Sequence, residues 1–388
     1  MGFWRKTNKN NIYIISNYLR IKRPNLRSNL LNHQSSLSLS PLSTHVFKLV
    51  QKVSNVINIP IIKPSLITFD VTDRCQLRCL TCSKWKTPSE AQSRELETGD
   101  WRKILIDMKS WLGEFSFTFS GGEPLLRQDL LELCSFAKKQ NIRPGVITNG
   151  YGFQSLARKI AKSGLEFVAV SLNGIKPETH DITRGVTGAS LKTKQFINEL
   201  NSARKTCKEI PLKLTINTIL MPINYKEAAE LVNWVQDIKI DGVHFQPMDP
   251  VGYFVSYQNH DRESPSRKGA GGDWYLQNLQ ETTNRDLKVT INQLIKMKKQ
   301  GCPIVNTVDD LKRIETYYNN PLSVWNRCPL RTSSFNIDPY GYVRFCFNLD
   351  PIGNIQDVPP QQLFASKEAR KVRHQMKQCR RPCHFAVC

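Results

Sequence analysis

Leu66-Ile67-Thr68-Phe69-Asp70-Val71-Thr72-Asp73-Arg74-Cys75-Gln76-Leu77-Arg78-Cys79-Leu80-Thr81-Cys82 runs from an apolar segment straight into three cysteines. Residues 66–71 read as a buried strand, and the C-x3-C-x2-C loop behind them looks like a metal cradle short of one ligand. A closed structural site normally takes four protein ligands, whereas a catalytic site keeps one position open. Soft thiolates favour zinc, copper(I) or an iron–sulfur cluster. Three thiolates on a cubane leave one iron free. A zinc site, or three thiols with no metal, are the competing readings of the same spacing.

Working outward, strand-like runs alternate with helical ones. Residues 115–119 form a second strand that ends in Ser120-Gly121-Gly122-Glu123-Pro124, followed by a helix over 129–139. Residues 145–148 end in Asn149-Gly150, and 168–172 end in Asn173-Gly174. Residues 213–220 and 242–247 supply the fifth and sixth strands, with a helix over 225–237 between them. This alternation predicts an α/β fold with a parallel sheet closed partly or wholly into a barrel. In such folds the functional residues gather at the carboxyl ends of the strands, where the polar and glycine-rich runs fall here.

The cysteine loop and the Gly121-Gly122-Glu123-Pro124 turn at the next strand end together resemble the radical S-adenosylmethionine (radical SAM) superfamily. Thr81 departs from the bulky residue often found before the third cysteine. The resemblance implies a partial (β/α)6 TIM-like barrel and a [4Fe–4S] cluster on Cys75, Cys79 and Cys82. It implies S-adenosylmethionine on the free iron, cleaved reductively to a 5′-deoxyadenosyl radical that abstracts a substrate hydrogen. The turn of Gly121, Gly122, Glu123 and Pro124 would hold the amino group, with the Glu123 carboxylate able to accept from an ammonium. Ser171 would bond the ribose or the methionine carboxylate, and Arg184 would lie near that carboxylate. Asn149, after the third strand, and Asn217, inside the apolar run of the fifth, are further polar candidates, although Asn and Ser also favour turns.

A second cysteine set follows. Cys328, a hairpin-like run ending at Cys346, and then Cys379, Cys383 and Cys388 resemble the auxiliary-cluster domain called SPASM, or its shorter twitch form. Five cysteines favour one further [4Fe–4S] cluster, on Cys328, Cys346, Cys383 and either Cys379 or Cys388. A zinc ribbon is the alternative. Cys134, Cys207 and Cys302 stand apart and read as buried thiols.

The chain has 388 residues and a formal net charge of +22, with no Asp or Glu before Asp70. No apolar stretch is long enough to span a membrane, and the clustered cysteines point to metal ligation in a reducing, cytoplasmic setting. The expected organisation is a basic N-terminal extension over 1–60 with an amphipathic helix near 46–57, then a core over 61–250. A connecting, pocket-shaping region over 251–325, with helices over 287–299 and 308–318, leads to the auxiliary domain over 326–388. The basic residues lack the interleaved aromatics of a nucleic-acid platform, but they suit weak contact with an anionic membrane surface. The expected activity is that of an oxidoreductase acting on a ribosomal peptide or a small metabolite, fed by flavodoxin or ferredoxin. A cyclase of the molybdenum-cofactor type and a non-catalytic metal-binding scaffold are the alternatives. No acid–base residue is identified.

Overall fold

The computed structural model describes residues 63–82, 84–87, 93–207, 212–248, 284–320, 323, 328, 330–379 and 383. The N-terminal extension with its expected helix, and Cys388, lie outside the described residues. The elements in order are β1 (Leu66–Thr72), α1 (Thr98–Leu112), β2 (Ser116–Gly121), α2 (Leu130–Lys139), β3 (Arg143–Thr148), α3 (Ala157–Lys162) and β4 (Phe167–Ser171). Then come α4 (Pro177–Arg184), α5 (Ala189–Thr206), β5 (Lys213–Leu220), α6 (Ala228–Asp237), β6 (Gly242–Pro247), α7 (Asn284–Lys299) and α8 (Val308–Asn319). The last part holds α9 (Leu330–Ser333), β7 (Ser334–Ile337), β8 (Tyr342–Arg344), β9 (Gly353–Asn354), α10 (Pro360–Ala365) and α11 (Lys367–Gln378).

β1 to β6 pair in parallel and in sequence order, as the strand–helix alternation predicts. Alternate residues of each strand face the helices and form the core. Phe69 stacks on Trp101 of α1 and on Phe117, with Phe119 beside them. Their neighbours Thr68, Asp70, Thr72 and Thr118 are buried on the other face, so the inner layer of the sheet is polar. Among the described residues the sheet does not close. At its outer edge the backbone of Val243 bonds to Pro303 and Val305. The Asn306 side chain then takes both backbone groups of Phe245, at 2.7 and 2.9 Å. These bonds satisfy an edge that would otherwise stand open.

The C-terminal hairpin is continuous with the core sheet. β7 pairs in parallel with β1, and β8 and β9 extend the sheet antiparallel, giving the order β6-β5-β4-β3-β2-β1-β7-β8-β9. All four residues of β7 are buried. The free edge of β1 offers unpaired backbone groups, and this short buried strand satisfies them. The segment carrying the second cysteine set is thereby fixed to the strand that leads into the first.

Candidate active site

The cysteine loop leaves β1 and is pinned from two sides. Gly122 N–H donates to the Thr72 carbonyl at 2.7 Å and Glu123 N–H to the Arg74 carbonyl at 2.8 Å. A Cβ on Gly121 would lie 2.3 Å from the Thr72 carbonyl oxygen, and one on Gly122 2.2 Å from that of Arg74. Only glycine permits this approach. From the other side, Arg78 and Leu80 N–H donate to the carbonyls of Arg184 and Thr183 at the end of α4. Glu227 in turn anchors α4, accepting from the Ile175 and Lys176 N–H groups and the Thr179 hydroxyl.

Each of the three sulfurs has an N–H donor. Asn149 Nδ2 lies 3.9 Å from Cys75 Sγ, Arg184 Nη1 lies 3.7 Å from Cys79 Sγ, and Lys84 N–H reaches Cys82 Sγ at 3.4 Å. Donors to sulfur are what a thiolate-bound cluster takes from its surroundings. Burial pushes the Cys75 thiol up to about 12 and the Cys82 thiol up to about 11. Metal ligation would displace those protons. Among the described residues no three Cys, His, Asp or Glu side chains close round a point that would hold a single ion. A polynuclear group, taking each thiolate on a different iron, suits such a spread set.

Arg184 is buried, with its Nε and Nη2 groups unpartnered while Nη1 faces Cys79. Nε–H and Nη2–H form the edge of a guanidinium that grips a carboxylate with two parallel bonds. A buried donor fork aimed at no protein acceptor fits a ligand carboxylate beside the cysteines. One turn earlier on α4, buried His180 accepts from Asn173 N–H at 3.1 Å. Burial holds its imidazole well below the ordinary histidine range.

Ser171 and Asn217 come together across β4 and β5, and Asn149 lies at the same end of the sheet. Ser171 pairs in register with Asn217, and Asn217 with His244 of β6, so the three side chains form one row on the polar face of the sheet. Asn149 follows β3 at the same end and bonds Tyr151 N–H through Oδ1, with Gln76 Nε2 at 3.4 Å.

Glu123 differs from its sequence expectation. Its carboxylate is fully buried and accepts from Thr148 Oγ1 at 2.6 Å, Asn149 N–H at 2.7 Å and Leu125 N–H at 3.0 Å. Burial nevertheless lifts its pKa to about 7, these bonds opposing the rise. The side chain ties the ends of β2 and β3 together, because three donors converge on it. Pro124 then opens a short 3-10 turn over Pro124–Leu126, capped by the Glu123 side chain.

Sequence reasoning missed a buried charge network under the loop. Lys84 Nζ sits between Asp70 Oδ2 at 2.9 Å and Asp73 Oδ1 at 2.7 Å, and Tyr340 of the C-terminal hairpin donates to Asp73 Oδ2 at 3.1 Å. The available signal was a pair of aspartates beside an apolar run, with a lysine just past the third cysteine. Such a network keeps its worth only while every partner is present.

In the C-terminal part, burial pushes the Cys328 thiol up to about 11, with the charges of Cys346 and Cys379 adding to the rise. These three therefore share a neighbourhood. Cys346 follows β8, Cys379 caps α11, and Cys383 is half-buried. Cys134 is buried in α2, and Cys207 and Cys302 pack against the core. Among the described residues, no helix is long and apolar enough to cross a membrane.

Comparison with known proteins agrees with this geometry. Residues 69–235 match the model of the radical SAM superfamily, and residues 328–388 match SPASM, an iron–sulfur cluster-binding domain. The chain is 30% identical over 200 residues to Fe-coproporphyrin III synthase of Methanosarcina barkeri, covering 51% of this chain and 48% of that protein. It is 28% identical over 179 residues to PqqA peptide cyclase of Bradyrhizobium diazoefficiens, covering 46% of this chain and 45% of that protein. The chain thus spans about half the length of these curated relatives. The fold is similar to that of Streptococcus suis SuiB bound to S-adenosylmethionine, with a TM-score of 0.61 at 15% identity, over 90% of this chain and 78% of that one. The chain belongs to the radical SAM superfamily, with a [4Fe–4S] cluster and S-adenosylmethionine as the cofactors of its core and a SPASM iron–sulfur cluster-binding domain behind it.

Proposed function

We propose that Cys75, Cys79 and Cys82 hold the core cluster, and that Arg184 clamps the carboxylate of S-adenosylmethionine beside it. The buried, unpartnered Nε/Nη2 edge of Arg184, with Nη1 3.7 Å from Cys79 Sγ, carries this reading. The Gly121-Gly122-Glu123 backbone is the candidate seat of the amino group. Ser171, Asn149 and Asn217 then line the nucleoside side. Cys328, Cys346, Cys383 and either Cys379 or Cys388 would seat one auxiliary [4Fe–4S] cluster. When bound, these groups supply a 5′-deoxyadenosyl radical that takes a hydrogen atom from substrate, and an acceptor for the electron left behind. The net reaction is a two-electron oxidation. The work of the protein is to orient the substrate hydrogen and exclude water.

The substrate class we favour is a peptide. A relative acts as PqqA peptide cyclase, and a solved structure of similar fold holds SuiB with its precursor peptide SuiA. The exposed side chains of Arg74, Arg78 and Lys86 around the loop suit an acidic reductant such as flavodoxin or ferredoxin. Iron and sulfide counting on the reconstituted Cys75→Ala, Cys79→Ala, Cys82→Ala triple variant tests the ligand assignment. About four irons should remain, in the C-terminal cluster. An undiminished count refutes it.

A further inference from the structure

α11 places an arginine where a core residue belongs. Its buried stripe is Ala369, Val372, Arg373 and Met376, at the spacing of one apolar face. Arg373 is 1% exposed. Its guanidinium carbon lies 4.3 Å from the ring centres of both Phe345 and Phe364, so the cation is held between two aromatic side chains. Nε–H donates to the Arg331 carbonyl at 3.2 Å. The Nη1 and Nη2 groups have no acceptor.

No carboxylate balances this charge among the described residues. The ionised groups that Arg373 feels are Arg331 and Arg370, both of the same sign, and together with burial they bring its pKa down to about 9. Burying an unpaired ion carries a large desolvation cost, and two cation–π contacts offset only part of it. The chain thus keeps a buried cation and free donors for an anion that its own carboxylates do not provide.

The neighbours of Arg373 show where that anion belongs. Phe345 precedes Cys346. Arg331, whose carbonyl Arg373 holds, lies in the short helix α9 that follows Cys328, whose sulfur is met by the Leu330 and Arg331 N–H groups. α11 itself runs on to Cys379. Three elements meeting at this guanidinium therefore lead to three cysteines of the C-terminal set. A cubane with four thiolates is an anion, and it becomes more negative on reduction.

We propose that Arg373 is the counter-ion of the C-terminal cluster, giving its free Nη donors to the cluster sulfurs and raising the cluster's reduction potential. The proposal rests on the assignment of Cys328, Cys346, Cys383 and either Cys379 or Cys388 to that cluster. Positive charge and N–H···S bonds favour the reduced form. Arg373 is thus a positioning and tuning residue for the electron acceptor, not a group that touches substrate.

The test uses the full chain, reconstituted anaerobically, and compares wild type with Arg373→Met and Arg373→Lys. The C-terminal signal is identified by electron paramagnetic resonance as the one that survives the Cys75/Cys79/Cys82 triple substitution. Arg373→Met should make reduction of that cluster at least tenfold less favourable, a shift of 59 mV or more to lower potential for one electron. Arg373→Lys should recover part of the shift. In chelator-stripped protein, Arg373→Met should melt no lower than wild type, because it removes an unpaired buried charge; in the loaded protein it should melt lower. An unchanged potential, or equal destabilisation of the stripped and loaded forms, overturns the proposal. If Arg373→Met takes up no C-terminal iron, Arg373→Lys decides: full iron supports the charge role, and equal loss refutes it. Cys328→Ala/Cys346→Ala that keeps its C-terminal iron refutes the ligand assignment instead, whatever Arg373 does.

Discussion

Replacing Arg184 with methionine tests the cofactor seat most sharply. The substitution keeps a flexible apolar stem and removes the guanidinium. Two donors, Nε–H and Nη2–H, stand buried and unpartnered on one edge. Each hydrogen bond to a charged acceptor is worth about 1.5–3 kcal/mol. Losing the pair, less what water recovers in the vacated space, leaves about 3 kcal/mol. At 1.4 kcal/mol per decade this weakens S-adenosylmethionine binding on the order of 100-fold. Equilibrium dialysis of labelled S-adenosylmethionine against the reconstituted chain measures it. The decisive control is decarboxylated S-adenosylmethionine, which lacks the group that the fork would hold. Wild type should bind it weakly, and Arg184→Met should bind it no more weakly than wild type does. The pair then behaves as one interaction in a double-mutant cycle. If the variant binds S-adenosylmethionine as wild type does, or loses as much affinity for the decarboxylated analogue, Arg184 does not hold the carboxylate.

Gly122→Ala should lower core iron uptake while sparing C-terminal iron, because the new methyl group collides with the Arg74 carbonyl and displaces the loop; iron counts on it and on the cysteine triple variant separate the two. Glu123 and Asp338 both titrate at about 7, above the ordinary carboxylate range, because burial disfavours their charged forms. A carboxyl whose folded pKa is raised contributes stability below its unfolded pKa and loses it as pH rises through the folded value. Melting temperature should therefore fall between about pH 5 and pH 8 from these two groups, and Glu123→Gln should flatten that slope; an unaltered slope contradicts the burial argument. Cys383→Ala should lose C-terminal iron, and of Cys379→Ala and Cys388→Ala only one should leave it intact, at the cysteine that is not a ligand; iron counts on the three variants decide.

The six core strands were legible because each is a short run rich in apolar residues, and three of them, β2, β3 and β4, are closed by Gly, Asn or Ser. The parallel sheet leaves those residues at its carboxyl edge. α1 was not among the predicted helices, although its stripe of Trp101, Ile104, Leu105, Met108 and Leu112 recurs at helical spacing and is legible. α4 is not, since Pro177–Arg184 is mostly polar and Glu227 and a left-handed Gly185 hold it in place of an apolar face. The pairing of β7 with β1 could not be read from pattern, because a four-residue strand carries no address for a partner so far along the chain. In the site, the cysteines, Arg184 and the Asn149, Ser171 and Asn217 positions were visible by type and place. The direction of Glu123 was not. A carboxylate after two glycines can face a ligand or the protein, and three buried donors turn it inward. Lys84 and Arg373 escaped for a related reason: lysine and arginine belong on surfaces by default, and only tertiary structure shows that these two are buried.

The most direct test of the account is production of 5′-deoxyadenosine. The reconstituted chain, given S-adenosylmethionine and a strong reductant without oxygen, should release 5′-deoxyadenosine, and the Cys75→Ala, Cys79→Ala, Cys82→Ala variant should release none. A fully iron-loaded chain that leaves S-adenosylmethionine intact, or a triple variant that cleaves it as fast as wild type, would contradict the central claim.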